Sequence, residues 1–473
     1  MGELVQRLYL GIKSVYLNIL QYLFKFHITM YPNLYYVFKD WFGVDWELLK
    51  ILNTFGLLVA TGFIVAAIVI NSELKRKEKQ GLLFPREEFI TIGKPASLAD
   101  LLMNCIVGFV FGFKLFGLVF SKPPETSPQT YIFSAEGSFI GGLLLALVLT
   151  GVKWWEKNKQ KLKSPEQRSI RIWPHDRVGD IVIIALVFGI LGAKLFDNLE
   201  NWDDFIQHPI ERIFSAGGLT FYGGLIMAGI AICVFAIKKG IKLVHLIDAI
   251  TLAMLLAYAV GRIGCQVSGD GDWGVYNSAY ITDVNGKVIP AQKGAFDAQL
   301  ELHKTYFLEG TVVDPGKTSP SYVTDRKSSS LETVPHRQVK ACSFIPVWMV
   351  AYNYPQNVNN DGIVIRGNFE DHNRVLPLPV FPTPFYETVI CTLLFLIIWS
   401  FRKKIKTPGT ISGIYFIVNG LERFIVEKIR VNNQYHFFGI NPSQAEIISF
   451  CLIVFGLGIL LTVQLKAVTK KGG

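Results

Sequence analysis

Nine apolar stretches of roughly 20 residues, each ended by charge, constrain this chain more than any other feature. Lipid offers no partner to backbone N–H and C=O groups, so a stretch of that length crosses a bilayer as a helix. The candidate spans lie at about 48–71, 97–120, 138–156, 178–199, 217–237, 244–265, 384–401, 409–428 and 444–465. With 51% hydrophobic residues and 35 phenylalanines among 473, an ordinary soluble domain is excluded. We expect an all-α polytopic membrane protein of about nine transmembrane helices, with a small extracytoplasmic α/β head domain.

The net charge of +10 would fit a nucleic-acid partner in a soluble chain. Here the Lys and Arg fall in alternate loops: 75–86, 157–171, 238–242, 402–406 and the tail from Lys466. The positive-inside rule makes those loops cytoplasmic, which puts the N-terminus outside and the C-terminus inside, with no nucleic acid involved. Residues 1–47 read as an extracytoplasmic amphipathic arm, because the first 30 residues lack a clean signal-peptide core and cleavage site. Residues 48–265 carry spans one to six, and 384–473 carry spans seven to nine with a short cytoplasmic tail. Between them, 266–383 is a polar outer excursion whose Asn285-Gly and Asp361-Gly turn signals and Ile363–Ile365 run mark a strand-bearing head. Five of the six cysteines lie in or at the end of apolar runs and only Cys342 in a polar region, so neither a disulfide framework, a metal site nor a cofactor is expected.

A duplicated hairpin, 97–156 and 178–237, emerges from internal similarity. Asp100 begins a run reaching Gly112-Phe-Lys-Leu-Phe116, and Asp180 one reaching Gly192-Ala-Lys-Leu-Phe196. Ile-Phe-Ser-Ala follows in each (Ile132–Ala135, Ile213–Ala216), then Gly141-Gly142 and Gly223-Gly224. Ile140 precedes the first glycine pair and Tyr222 the second, so if one copy carries chemistry it is the second.

Arg262 ends an apolar run between Gly261 and Gly264, followed by Cys265, Gly269 and Asp270. Snorkelling alone would account for an arginine at a helix end. Span eight argues for more: Asn419, Arg423, Glu427 and Arg430 recur at helical spacing and share one face. Charges cost a few kcal/mol each in a membrane unless they pair or line a wet cavity. Arg262 and Arg423 together could hold a phosphate in forked hydrogen bonds. Gly223 and Gly224, after Tyr222, open span five and could free N–H groups for an anion, although such a pair is more often a packing device. In Phe381-Pro-Thr-Pro-Phe-Tyr-Glu387, Tyr386 could be a simple interfacial anchor and Glu387 a first-turn acid, but both stand as substrate-binding candidates beside Arg430.

Four motifs in order, Gly-Gly-Leu-Thr-Phe-Tyr-Gly-Gly-Leu-Ile226, Gly261-Arg-Ile-Gly-Cys with its Gly-Asp continuation, Pro-Thr-Pro-Phe-Tyr-Glu387 and Gly420-Leu-Glu-Arg-Phe-Ile-Val-Glu427, resemble the prolipoprotein diacylglyceryl transferase family. The resemblance covers span one and about 178–274 and 380–465, leaving out the first hairpin and part of the head. It implies transfer of the sn-1,2-diacylglyceryl group from phosphatidylglycerol to the lipobox cysteine of a preprolipoprotein in a bacterial cytoplasmic (inner) membrane, with glycerol phosphate leaving. Arg262 and Arg423 match the family's head-group arginines, and Glu427 and Arg430 its acid and following arginine. Asp270 stands where the family usually has Glu. The departures are Tyr222 for His, Cys265 for Asn, Phe55 for the first-span Tyr, Asn419 for Tyr, and Lys194 and Phe196 for Arg and Tyr. The base that takes the thiol proton stays open among Tyr222, Asp270 and Glu427. Two other readings stand beside transfer: a lipid-binding homologue without catalysis, and a transporter built on repeats. The arginines at outer helix ends and the like orientation of both hairpins argue against the transporter.

Overall fold

The computed structural model describes residues 30–469 apart from 121–130, 132–133, 215–217, 271–272, 311–327, 342–343, 369, 432–434 and 436–440. Most of the expected amphipathic arm, parts of both Ile-Phe-Ser-Ala segments, and Cys342 lie outside the described residues. In chain order the principal helices are α1 (Leu34–Phe42), α2 (Thr54–Lys79), α3 (Leu98–Phe120), α4 (Phe139–Lys159) and α5 (Val178–Glu200). They continue with α6 (Phe221–Lys239), α7 (Leu243–Ser268), α8 (Thr383–Phe401), α9 (Thr410–Glu427) and α10 (Gln444–Thr469). Among the described residues eight helices, all of these but α1 and α9, are long and apolar enough to cross a bilayer, so the chain is a multi-pass membrane protein.

The remaining expected span, 409–428, does form helix α9, but Glu422, Arg423 and Glu427 leave it more charged than its neighbours. The first span begins later than its apolar residues imply. A single 3-10 turn, Glu47–Ile51, precedes α2, and α2 runs on through Arg76, Lys77 and Lys79. Two of those basic residues are paired: Arg76 with Glu73, and buried Lys77 with Asp248 at 3.2 Å.

Two compact units share the chain. One comprises 46–51 and 67–250 and contains both hairpins of the expected duplication, each preceded by a strand. Strand β1 (Arg86–Ile92) precedes the first hairpin and β2 (Glu166–Ile172) the second. They pair antiparallel, with Phe89 opposite Ser169, Arg86 opposite Ile172 and Ile92 opposite Glu166. Since 89 and 169 differ by the same 80 residues as Gly112 and Gly192, the strands are copies of each other and pair about a local two-fold at their centre. Pro85 and Pro165, Ile90 and Ile170, and Ile92 and Ile172 are the faint sequence trace of this.

Both hairpins close in the same way. The Ser138 N–H donates to the Phe113 carbonyl in the first (2.8 Å) and the Thr220 N–H to the Ala193 carbonyl in the second (3.1 Å). Gly112 and Gly141, and likewise Gly192 and Gly223, bring backbone against backbone: a Cβ on Gly223 would lie 2.6 Å from the Gly192 carbonyl oxygen. Lys114 donates to the carbonyls of Tyr131, Ser134 and Glu136 at 2.6–2.8 Å, and Lys194 likewise reaches a loop carbonyl, that of Gly218 at 3.5 Å.

The other unit comprises residues through 45, 52–66 and 251 onward. It joins the second half of α7 to α8, α9, α10 and the polar segment 266–383. That segment bears strands, as its turn signals imply: β3 (Tyr276–Asn277), β4 (Tyr280–Thr282), β5 (Val288–Pro290), β6 (His336–Arg337), β7 (Ile363–Val364) and β8 (Arg374–Val375). β4 and β5 form a hairpin around Asp283–Gly286, β7 pairs with β8, and β3 pairs with β6 in parallel. Its core is aromatic, with Trp273, Tyr276, Phe296, Phe307, Tyr352 and Tyr354 all buried. Glycines again set the closest helix approach, with Gly420 of α9 against the Ser449 carbonyl of α10 and Gly413 against Gly456.

This packing predicts a contrast between two glycines of α6. Gly223→Ala should destabilise the protein by about 1–3 kcal/mol, because the new methyl meets fixed backbone. Gly229→Ala, with open space around its Cβ position, should be neutral or stabilising. Thermal unfolding in detergent reads both; equal melting temperatures would contradict the glycine interface.

Candidate functional site

The sequence places an arginine at the end of α7, an acid at the start of α8 and a polar stripe on α9. In the structure all three meet. Glu387 is fully buried, and its Oε2 lies 2.5 Å from Arg262 Nε. Its Oε1 accepts from Arg423 Nη1 at 3.3 Å, Arg430 Nη1 at 3.4 Å and the Tyr258 hydroxyl at 3.1 Å. Tyr258 sits one turn before Arg262 and accepts from its Nε at 3.0 Å. Arg262 Nη1 also reaches Cys265 Sγ at 3.5 Å. Three guanidiniums thus converge on one carboxylate.

Local structure explains the convergence. Pro382 and Pro384 fix the entry to α8, so Glu387 lies in its first turns, and Thr388 Oγ1 bonds the α7 carbonyl of Ala259 at 3.3 Å. Arg423 lies on α9 and Arg430 just beyond its end, where it bridges to Gly274. Helix α7 stops in a Schellman turn: Gly269 takes φ +66° and the Asp270 N–H bonds the Cys265 carbonyl at 3.0 Å. A Cβ on Gly269 would sit 2.7 Å from Asn357 Cβ, so glycine is needed for both conformation and space.

That stop is clamped by residues 353–361. The Val358 N–H donates to the Ser268 carbonyl at 2.9 Å, and the Tyr354 hydroxyl to Gln266 Oε1 at 2.8 Å. Tyr354, Gln356 and Asn360 all have positive φ, each at a cost of about 1–3 kcal/mol. The buried Asn357 side chain holds the turn by bonding the Tyr354 and Asp361 carbonyls and the Asp361 N–H.

The other candidate residues are distributed as follows. Glu427 is buried and accepts from Ser443 Oγ at 2.5 Å, while Asn419 is half-buried one turn before Arg423. Tyr386 is half-buried with its ring near Phe385. Gly264 packs against Phe55 and Leu58, and Gly261 has open space where a Cβ would be. Tyr222, Gly223, Gly224 and Lys194 belong to the other unit. There the two glycines are buried against the carbonyls of Gly192 and Gly189, and the half-buried Tyr222 ring lies edge-on to Phe221.

Two residues in the cluster's surroundings escaped the sequence reading. Tyr258 could have been found as the residue four before Arg262, on the same helical face. Glu422, only 3% exposed, stands beside Arg423 in a helix otherwise suited to lipid, which is itself a signal. Glu387 is a candidate from its motif alone; nothing local announces that its partners come from 125 residues before it and 36 after. Chemically, an arginine cluster with a tyrosine hydroxyl suits recognition of a phosphate or carboxylate.

Comparison with known proteins gives the cluster a context. The family model described as prolipoprotein diacylglyceryl transferase matches residues 159–462, beginning just before β2 and leaving out the first hairpin. A phosphatidylglycerol–prolipoprotein diacylglyceryl transferase of Chlorobaculum tepidum is 26% identical over 287 residues, spanning 56% of this chain and 94% of that protein. The protein of that name from Clostridioides difficile is 29% identical over 203 residues, 40% of this chain and 82% of its own length. That from Streptococcus mutans is 31% identical over 126 residues, 26% of this chain and 43% of its own.

Asp270 carries a pH signature. Burial raises its pKa above the ordinary aspartate value, against an opposing effect of Arg262. The folded carboxyl therefore holds its proton where the unfolded one has lost it, and stability falls as pH rises through the folded pKa. Asp270→Asn should accordingly raise the melting temperature at pH 7, with the gain vanishing towards pH 3. A variant less stable than the parent at neutral pH would contradict this.

Proposed function

Since the chain belongs to the prolipoprotein diacylglyceryl transferase family, we propose that it transfers the sn-1,2-diacylglyceryl group of phosphatidylglycerol to the lipobox cysteine of preprolipoproteins. The observation that carries this reading is the meeting of Arg262, Arg423 and Arg430 at one buried point. The basic loops support a bacterial cytoplasmic membrane location with the N-terminus outside and the C-terminus in the cytoplasm.

In the proposed step the cysteine thiolate attacks the glyceryl carbon that bears the phosphate. The C–S bond forms, the C–O bond breaks, and the electron pair leaves on glycerol phosphate. The thiol proton passes to a base. A thiol with pKa near ~8.5 needs that base or a positive field to ionise. The phosphate goes from diester monoanion towards monoester dianion, so fixed guanidiniums stabilise the transition state more than the ground state. Arg262 and Arg423 hold the phosphate, Arg430 supports them, and Tyr258 orients Arg262.

Asp270 is our choice of base. Burial makes its carboxylate more basic, and it lies in the field of Arg262, whereas Glu427 is engaged by Ser443. Tyr222, where the family has His, favours a second reading in which the protein binds the lipid without transferring it.

Purified protein with phosphatidylglycerol and a lipobox peptide should yield a thioether-linked product. Arg262→Ala and Arg423→Ala should each reduce the rate at least about 100-fold. Absence of product with several lipobox peptides would leave the lipid-binding reading, and full activity in either variant would remove the head-group assignment. Asp270→Asn should reduce kcat strongly and abolish the acid limb of the pH–rate profile; an unchanged limb would return the base to Glu427 or Tyr222.

A further inference from the structure

We propose that Glu387 is a built-in counter-anion: it holds the three arginines together before substrate arrives and limits how tightly the site grips the departing dianion. The inference rests on the transfer reading above and adds a role for a residue to which that reading gives none.

Its basis is geometric. Glu387 has no exposure, and its carboxylate occupies the point on which the three guanidiniums converge. Without a carboxylate there, three cations brought together from different parts of the fold would repel one another and spread. The contacts are also unequal. Arg262 is close, with Nε 2.5 Å from Oε2, while Arg423 and Arg430 reach the single oxygen Oε1 at 3.3 and 3.4 Å. Hydrogen bonds to carboxylate are ordinarily about 2.7–2.9 Å, so the hold of Glu387 on these two arginines is weaker than its hold on Arg262. An incoming phosphate oxygen can draw them away from Oε1 without losing Arg262.

Charge arithmetic supplies the functional consequence. Three guanidiniums and one carboxylate in direct contact leave a formal +2. A phosphodiester brings this to +1, and the dianionic monoester formed on C–O cleavage brings it to zero. With Glu387 neutralised, each figure rises by one, whatever protonation Glu422 and Glu427 on α9 carry. The dianion gains most from the extra charge. The site would then bind its product too well, and release would limit turnover.

Steady-state transfer by the whole protein in phosphatidylglycerol nanodiscs, with glycerol 1-phosphate as inhibitor, tests this. Glu387→Gln should lower the inhibition constant for glycerol 1-phosphate at least about tenfold, the effect of one extra charge near a partly screened anion. It should lower kcat without raising the KM for lipid, whereas Glu387→Asp should recover both constants to within a few-fold. A folded Glu387→Gln protein with unchanged kcat and inhibition constant, or with weaker glycerol phosphate binding, would overturn the proposal. If Glu387→Gln does not fold, the parent protein still decides. It should prefer glycerol 1-phosphate over the diester glycerophosphoglycerol by less than about tenfold, and a preference above about 100-fold would show arginines without effective compensation. If the parent makes no thioether at all, the transfer reading fails separately, and phosphate-dependent thermal shifts of the parent and Glu387→Gln proteins still report the charge effect: a larger shift in Glu387→Gln supports it and an equal one refutes it.

Discussion

A carboxylate and a guanidinium buried together inside a membrane protein each lose several kcal/mol of hydration, and only close mutual pairing offsets that loss. Buried Glu387 and Arg262 meet it by close contact, and the partly buried Arg423 and Arg430 reach the same carboxylate at 3.3 and 3.4 Å. The consequence reaches far beyond four side chains. The ends of α7 and α9 and the start of α8 must stay in register, because a one-turn slip would strand an ion. The proline entry to α8, the Gly269 stop of α7 and the glycine contacts of α9 with α10 all serve that register.

The polar segment after α7 gains a purpose in the same light. Its turn at 353–361 keeps three non-glycine residues in left-handed conformations and spends its hydrogen bonds on the last residues of α7. Strain of this kind persists only where the surroundings over-determine it. The buried Asn357 amide and the aromatic core provide that determination, so the segment acts as a rigid brace for the stretch carrying Arg262, Cys265 and Asp270.

Much of this was legible in the sequence. Apolar run length identified eight of the helices directly, and the i, i+4, i+8 stripe of Asn419, Arg423 and Glu427 announced α9 as a helix with a polar task. The duplicated hairpin was visible in its glycines, because backbone contact tolerates no substitute. The strand copies were not, since β1 and β2 need only extended backbone and share just Pro85, Ile90 and Ile92 with their counterparts. The partners of Glu387 were hidden for a different reason. Its importance lies in partners distant along the chain, and sequence spacing reports only neighbours on the same element. The first hairpin differs from the second at the position before its glycine pair, where Ile140 stands in place of Tyr222.

The central claim is that the arginines gathered around Glu387 receive a lipid phosphate. An electron cryomicroscopy map of the protein in phosphatidylglycerol nanodiscs tests it most directly. Head-group phosphate density is expected within hydrogen-bonding distance of both Arg262 and Arg423, with Arg423 moved off Glu387. A resolved head group seated elsewhere, with all three arginines still closed on that carboxylate, would contradict it.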